Sequence, residues 1–174
     1  MAEVILVIAQ KNFQPVELMD TKKAIQSKGF STVIASKTIA QAIATDGTRI
    51  MPDISLKEAI ESLDLYKAVV FIGGGGSEQY FNDMEALELA KKSYEKEKIT
   101  AAICIAPVIL ANAGILERKK ATVWDNEQEE FSAILQEKGA DCTGNDVESD
   151  GIIITANGPQ AATEFGNKIA ELLR

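Results

Sequence analysis

The residue with the greatest potential for chemistry is Cys104, in the segment KITAAICIAPVILANAG, residues 98–114. An apolar run of strand length ends at this cysteine, and a helix-like run follows with Pro107 in its first turn. A thiol at such a corner faces unpaired backbone N–H groups and the positive end of a helix dipole, which both favour the nucleophilic thiolate. A free cysteine is more often a small buried side chain that packs without reacting. The pattern therefore leaves two interpretations of Cys104, a nucleophile or a core residue.

Two backbone amides near this corner are candidate donors to an oxyanion. The N–H of Ile105 follows the cysteine directly, and Gly74 lies in a run of four glycines after another apolar segment. The carboxyl ends of parallel strands lie at one edge of a sheet, so we expect the two segments to meet there, with Gly75 as a possible lining residue. The glycine run also fits a turn with tight backbone packing, and it has no nucleotide-binding spacing.

The third candidate is Glu17, in the first turn of a predicted helix that begins in FQPVELMD. A carboxylate there complements the helix dipole without any further function. If Glu17 lies beside Cys104 and away from water, burial would favour its protonated form, which can donate a hydrogen bond to a thiolate. Trp124 either lines the mouth of the pocket or packs at its rim. Cys142 lies in a polar stretch without a neighbouring cation and is predicted to be structural or incidentally exposed.

Short apolar segments alternate with longer amphipathic segments along the chain, and no linker or repeat interrupts them. These segments are the strands and helices that must position the candidate residues. This alternation predicts one domain over residues 1–174, an α/β doubly wound sandwich with a mostly parallel central sheet. The predicted strands cover residues 4–8, 31–35, 68–72, 99–103, 120–123 and 151–155. The predicted helices cover residues 15–28, 56–63, 83–96, 107–113, 127–138 and 160–173.

The composition excludes several classes of function. A net charge of -8 disfavours binding to nucleic acid or to an anionic membrane face. The chain has two distant cysteines and no histidine, which argues against a zinc site, and we expect neither a metal nor a cofactor. Unpaired cysteines, a short first apolar run and no stretch long enough to span a membrane predict a protein of the reducing cytoplasm.

Four segments, in order along nearly the whole chain, make the sequence similar to the ThiJ/PfpI family. They are FQPVELMD, VVFIGGGG, AAICIAPVILANAGILERKKATVW and DGIIITANGPQAATEFGNKIAELL. The resemblance implies a flavodoxin-like α/β sandwich of the class I glutamine amidotransferase-like type, and a homo-oligomer, most simply a dimer. It places the reactive cysteine of the family on Cys104, its glutamate partner on Glu17, and its oxyanion amides on Gly74 and Ile105.

The sequence departs from the family at two positions. Members described as intracellular peptidases carry a histidine directly after the nucleophile, where this chain has Ile105. Members of the deglycase type carry a histidine later in the chain, where this sequence has Trp124. A Cys-His dyad is impossible in a chain without histidine, so a peptidase is disfavoured.

These residues favour an enzyme that acts on a small aldehyde. Methylglyoxal and related 2-oxoaldehydes are strong electrophiles, so Cys104 and Glu17 suffice in principle for glyoxalase or deglycase chemistry. The alternative is an oxidative-stress sensor or chaperone without turnover, in which peroxide oxidises Cys104. Retention of the fold without activity is a third possibility.

Overall fold

The computed structural model describes residues 2–174 and has an α/β fold. Short apolar segments form its strands, and amphipathic segments form its helices. The strands are β1 (Val4–Val7), β2 (Lys11–Phe13), β3 (Thr32–Ser36), β4 (Ala42–Ala44), β5 (Arg49–Ile50), β6 (Ile54–Ser55), β7 (Ala68–Phe71), β8 (Ile99–Ile103), β9 (Lys120–Ala121), β10 (Asp141–Cys142), β11 (Val147–Asp150) and β12 (Ile153–Ala156). The α-helices are α1 (Pro15–Ser27), α2 (Leu56–Glu61), α3 (Met84–Glu95), α4 (Pro107–Asn112), α5 (Glu130–Glu137) and α6 (Ala162–Leu173). Three 3-10 segments lie at Leu63–Leu65, Gly75–Tyr80 and Pro159–Ala161.

The central sheet has seven strands in the order β11-β12-β8-β7-β1-β3-β6. All neighbours are parallel except β11, which is antiparallel to β12. Strands β1, β7 and β8 are buried along their whole length, because helices cover both faces of the sheet. Val7 pairs with Phe71, and Phe71 pairs with Ala102, so these three strands end at the same rim. The loops that carry the candidate residues therefore meet there.

The helices form two layers. Helices α1 and α6 pack together on one face, and α6 also contacts β8 and β12. Their close approach depends on Gly166, since a Cβ atom there would lie 2.7 Å from the carbonyl oxygen of Thr21. Helices α2, α3 and α4 form the other layer. The predicted α/β sandwich with a mostly parallel sheet is thus confirmed.

Two elements differ from the sequence predictions. The predicted strand 120–123 is shorter and pairs as β9 with β10, outside the central sheet. The N–H of Thr122 donates to the side-chain oxygen of Thr155 at 2.9 Å instead of to a neighbouring strand backbone. The predicted helix 127–138 begins only at residue 130 because Glu129 has the left-handed φ of 54°. The carboxylate of Asp125 accepts hydrogen bonds from the first turn of α5 and caps the helix.

The sequence analysis missed the small strands. Strands β2, β4 and β5 form a separate three-stranded sheet beside the rim, and β11 adds an antiparallel edge to the central sheet. These strands have only two to four residues, which is too few for a periodic pattern to mark them. Within residues 2–174, no helix combines the length and the apolar character that a bilayer span requires.

Candidate active site

Cys104 lies at the corner between β8 and α4, and its backbone has the left-handed φ of 65°. This conformation is strained for a residue with a side chain, so neighbouring contacts must hold it. The N–H of Cys104 donates to the carbonyl of Ala156 at 2.9 Å, and its carbonyl accepts from the N–H of Trp124 at 2.8 Å. Fixed on both sides, the residue presents a partly buried thiol at the rim of the sheet.

Glu17 lies in the first turn of α1, and its side chain is completely buried. The N–H of Gly73 donates to its Oε2 at 2.9 Å. The other oxygen, Oε1, has no hydrogen-bond partner among the residues that the structure describes. A buried carboxyl oxygen without a donor is a favourable position for a proton, because the neutral acid costs less to bury than the carboxylate.

The glycine loop brings the carboxyl and the thiol together. A Cβ atom on Gly73 would lie 2.7 Å from Glu17 Oε2 and would also overlap the Cys104 side chain. Gly74 has a φ of 104°, and a Cβ atom there would lie 2.6 Å from the Asn12 carbonyl oxygen. The loop is therefore tightly packed, and it also forms one wall of the site.

Gly73→Ala should lower the free energy of unfolding by about 1 to 3 kcal/mol, because the new methyl group displaces Glu17 or Cys104. We expect a parallel loss of thiol reactivity. Gly75→Ala is the matched control, since nothing lies within 4 Å of a Cβ atom at that position. Urea denaturation and the rate of Cys104 alkylation measure both effects. Equal behaviour of the two variants would contradict the packing role of Gly73.

Glu17 and Cys104 each affect the pKa of the other. Burial raises the pKa of Glu17 from 4.5 to about 7, although hydrogen bonds from Gly73 and Cys104 oppose the shift. Burial and then the charge of Glu17 raise the pKa of Cys104 to about 12, while the backbone amides of Gly74 and Ile105 lower it. Since the Glu17 charge contributes to the second value, that value describes the loss of the second of the pair's two protons.

Between about pH 7 and about pH 12, Glu17 and Cys104 therefore hold a single proton between them. It resides either on the sulfur, beside an ionised carboxylate, or on the carboxyl group, beside a thiolate that faces the Gly74 and Ile105 amides. Main-chain amides lower the pKa of Cys104 as the sequence predicted, but burial exceeds their effect, so the net pKa is raised instead of lowered. The thiolate forms only when Glu17 takes the proton.

A cavity of about 350 Å³ opens over this pair. Its aromatic wall is formed by Trp124, which is 42% exposed, and Phe131, whose ring centroid lies 5.8 Å from that of Trp124. The lining residues are Gln14, Glu17, Thr45, Gly74, Gly75, Glu78, Cys104, Ile105, Trp124, Phe131 and Pro159. All six residues predicted from the sequence thus line one cavity.

Sequence reasoning missed five of the lining residues. Gln14 and Glu78 lie in loops predicted to reach the rim, so their proximity was a detectable signal. Pro159 follows the predicted strand 151–155 and belongs to a segment that the family resemblance places close to the site, whereas Thr45 and Phe131 come from segments that gave no such signal. Among residues 2–174, no group of three or more Cys, Asp or Glu side chains is arranged to hold a metal ion.

Cys142 is separate from this site. Its thiol is partly buried, its Sγ lies 3.6 Å from the carbonyl of Ser132, and it lines another depression. Burial, followed by the charges of Asp125 and Asp141, raises its pKa. Cys142 is thus a suitable internal control for experiments on Cys104.

The structure is thus that of an α/β protein in which a cysteine with a left-handed backbone conformation lies at the strand-to-helix corner of a parallel sheet. The chain belongs to the DJ-1/PfpI family, whose sequence model matches residues 3–172.

The relatives match two thirds of the chain or more. An uncharacterized protein of Methanocaldococcus jannaschii is 35% identical over 178 residues, which cover 99% of this chain and 82% of that protein. Deglycase PfpI of Pyrococcus furiosus is 30% identical over 118 residues, covering 68% of this chain and 70% of that protein. The crystal structure of a ThiJ/PfpI domain protein from Brachyspira murdochii matches with a TM-score of 0.92 and 30% identity, covering 98% of this chain and 95% of that one.

Proposed function

We propose that this protein is a cofactor-independent glyoxalase or deglycase that acts on methylglyoxal or related 2-oxoaldehydes. The observation that carries the proposal is the burial of the Glu17 carboxyl against the strained Cys104 thiol, with the Gly74 and Ile105 amides acting on the same sulfur. The deglycase name of the Pyrococcus furiosus relative agrees with this chemistry.

The first step uses the tautomer with the proton on Glu17. The Cys104 thiolate forms a bond to the aldehyde carbon, and the carbonyl electron pair moves to oxygen, where the Gly74 and Ile105 amides stabilise the alkoxide. Glu17 then gives its proton to that oxygen, which leaves a hemithioacetal and a carboxylate. No histidine is needed, because the acid and the nucleophile exchange a single proton.

In the second step, the Glu17 carboxylate removes the proton from the former aldehyde carbon, which leaves an enediolate with its negative charge on the adjacent oxygen. The hydroxyl proton of the first carbon moves to that oxygen, and Glu17 returns its proton to the adjacent carbon. The first C–O bond becomes a carbonyl, so the product is a thioester of a 2-hydroxy acid. Water cleaves the thioester, releases the 2-hydroxy acid and restores the thiol. The overall reaction adds one water to the substrate and requires no oxidant or reductant.

The test is the conversion of methylglyoxal to lactate by the purified protein, compared with Cys104→Ser and with the control Cys142→Ser. We expect lactate from the native protein and from Cys142→Ser, and none above background from Cys104→Ser, which lacks the thiolate. Equal aldehyde loss in all three samples would remove the proposal and leave the oxidative-stress sensor as the better hypothesis. The homodimer implied by the resemblance remains a prediction.

A further inference from the structure

The side chains that line the cavity include acidic groups but no basic ones. Two carboxyl side chains, those of Glu17 and Glu78, line it, and none of its lining residues is a lysine or arginine. Glu78 is exposed in the 3-10 segment at the mouth. Its carboxylate forms no ion pair or hydrogen bond with another side chain in the part of the chain that the structure describes. Its negative charge is therefore not neutralised by a neighbouring cation.

A second acidic segment adds negative charge at the mouth of the cavity. Residues 125–130, DNEQEE, join the aromatic lining residues Trp124 and Phe131 and contain four acidic side chains and no basic one. The Asp125 carboxylate accepts from backbone N–H groups of α5, and Glu130 accepts from the Asn126 side chain at 3.0 Å. These hydrogen bonds leave the net charge of the segment unchanged, so the mouth repels anions.

The backbone amides of Gly74 and Ile105 favour negative charge at the sulfur, since both lower the pKa of Cys104. They can stabilise the single alkoxide that forms when the thiolate adds to a carbonyl. A substrate that already carries a carboxylate next to its carbonyl would bring a second negative charge close to Glu17 and Glu78. No lining cation compensates it.

We infer that Glu78 is a specificity-determining residue that admits uncharged 1,2-dicarbonyl compounds and excludes anionic 2-oxo acids. This inference rests on the proposed function, since it names the substrate class of the same site. Glu78 does not take part in proton transfer, and its charge acts on the approach and binding of the substrate.

Two alkylating reagents of similar size test the inference independently of turnover. Iodoacetamide is neutral and iodoacetate is anionic, and in both the sulfur bonds to carbon while iodide leaves. We expect Cys104 to prefer iodoacetamide more strongly than a small free thiol does. Glu78→Gln should increase the rate of Cys104 alkylation by iodoacetate about 3- to 10-fold and leave the rate with iodoacetamide nearly unchanged. Added salt should weaken the preference of the native protein for iodoacetamide.

Glu61→Gln, at the exposed end of α2, is the matched control and should leave both rates unchanged. Circular dichroism checks that the variants are folded. An unchanged iodoacetate rate in Glu78→Gln, or an equal change in Glu61→Gln, would overturn the role of Glu78. In a second arm, methylglyoxal and the anion glyoxylate are compared as substrates. If neither is consumed, the proposed function fails, while the alkylation rates still decide whether Glu78 selects by charge.

Discussion

Replacing Glu17 by glutamine should abolish most of the turnover and, at the same time, stabilise the protein above neutral pH. Glutamine preserves the size of the side chain and can still accept the Gly73 N–H, but it cannot exchange a proton with Cys104. Loss of a positioned acid and base costs about 100- to 10,000-fold in rate. The measurement is methylglyoxal turnover by the folded variant.

The expected stabilisation follows from the raised pKa of Glu17. An unfolded chain ionises this carboxyl near 4.5, whereas the folded chain keeps its proton up to about 7. The folded state therefore binds more protons in this window, so the free energy of unfolding falls as the pH rises from 4.5 to about 7 and stays lower above it. The cost is about 3 kcal/mol when each pKa unit contributes about 1.4 kcal/mol.

Glu17→Gln should remove this cost, so the variant should exceed the native protein in stability at about pH 8 but not at about pH 5. Urea denaturation at both pH values measures the difference. Glu61→Gln serves again as the control, because an exposed carboxylate should contribute little at either pH. Native-like turnover in Glu17→Gln, or the same pH-dependent loss of stability in both proteins, would contradict the role of the buried acid.

Alkylation of Cys104 by iodoacetamide should increase through about pH 7 and then level off. Below pH 7 the pair holds two protons and the sulfur is a thiol, whereas above it the single remaining proton can move to Glu17 and release the thiolate. A midpoint at about 7 predicts a rate at pH 8 that exceeds the rate at pH 5.5 by roughly 30-fold. The alkylation rate of a free thiol would instead increase through about pH 8.5.

Peptide-level mass spectrometry follows both thiols in the same sample. Cys142 should react appreciably only at higher pH, because burial and two aspartates raise its pKa. In Glu17→Gln the midpoint for Cys104 should move above that of a free thiol, since burial still opposes the thiolate and no acceptor remains for the proton. A native profile that increases only above pH 9 would exclude a shared proton.

The absence of histidine narrows the chemistry of the site. In a Cys-His pair the imidazole takes the thiol proton and later protonates a leaving amine. Among residues 2–174, Glu17 is the buried acid beside the thiol, and in the proposed mechanism it returns its proton to the substrate itself. A peptide bond is a weaker electrophile with a poor leaving group, so the arrangement favours an aldehyde over an amide.

The sequence predicted the parts of the site that depend on local pattern and topology. Strands β1, β7 and β8 are apolar throughout, which indicated a parallel sheet covered on both faces. Residues that follow such strands meet at one rim, and Glu17, Gly74, Cys104 and Ile105 do so. Very short strands such as β4 and β5 escaped prediction, since two or three residues show no periodicity.

By itself, the sequence determined the alternation of strands and helices, the lack of histidine and the segments that reach the active rim, because chain order and side-chain period encode them. Only the tertiary structure decided how deeply Glu17 and Cys104 are buried, and hence that both pKa values increase. It also decided that Thr45 and Phe131 enter the cavity. The physical reason is that desolvation and close approach depend on packing between segments far apart in the chain, which no local pattern records.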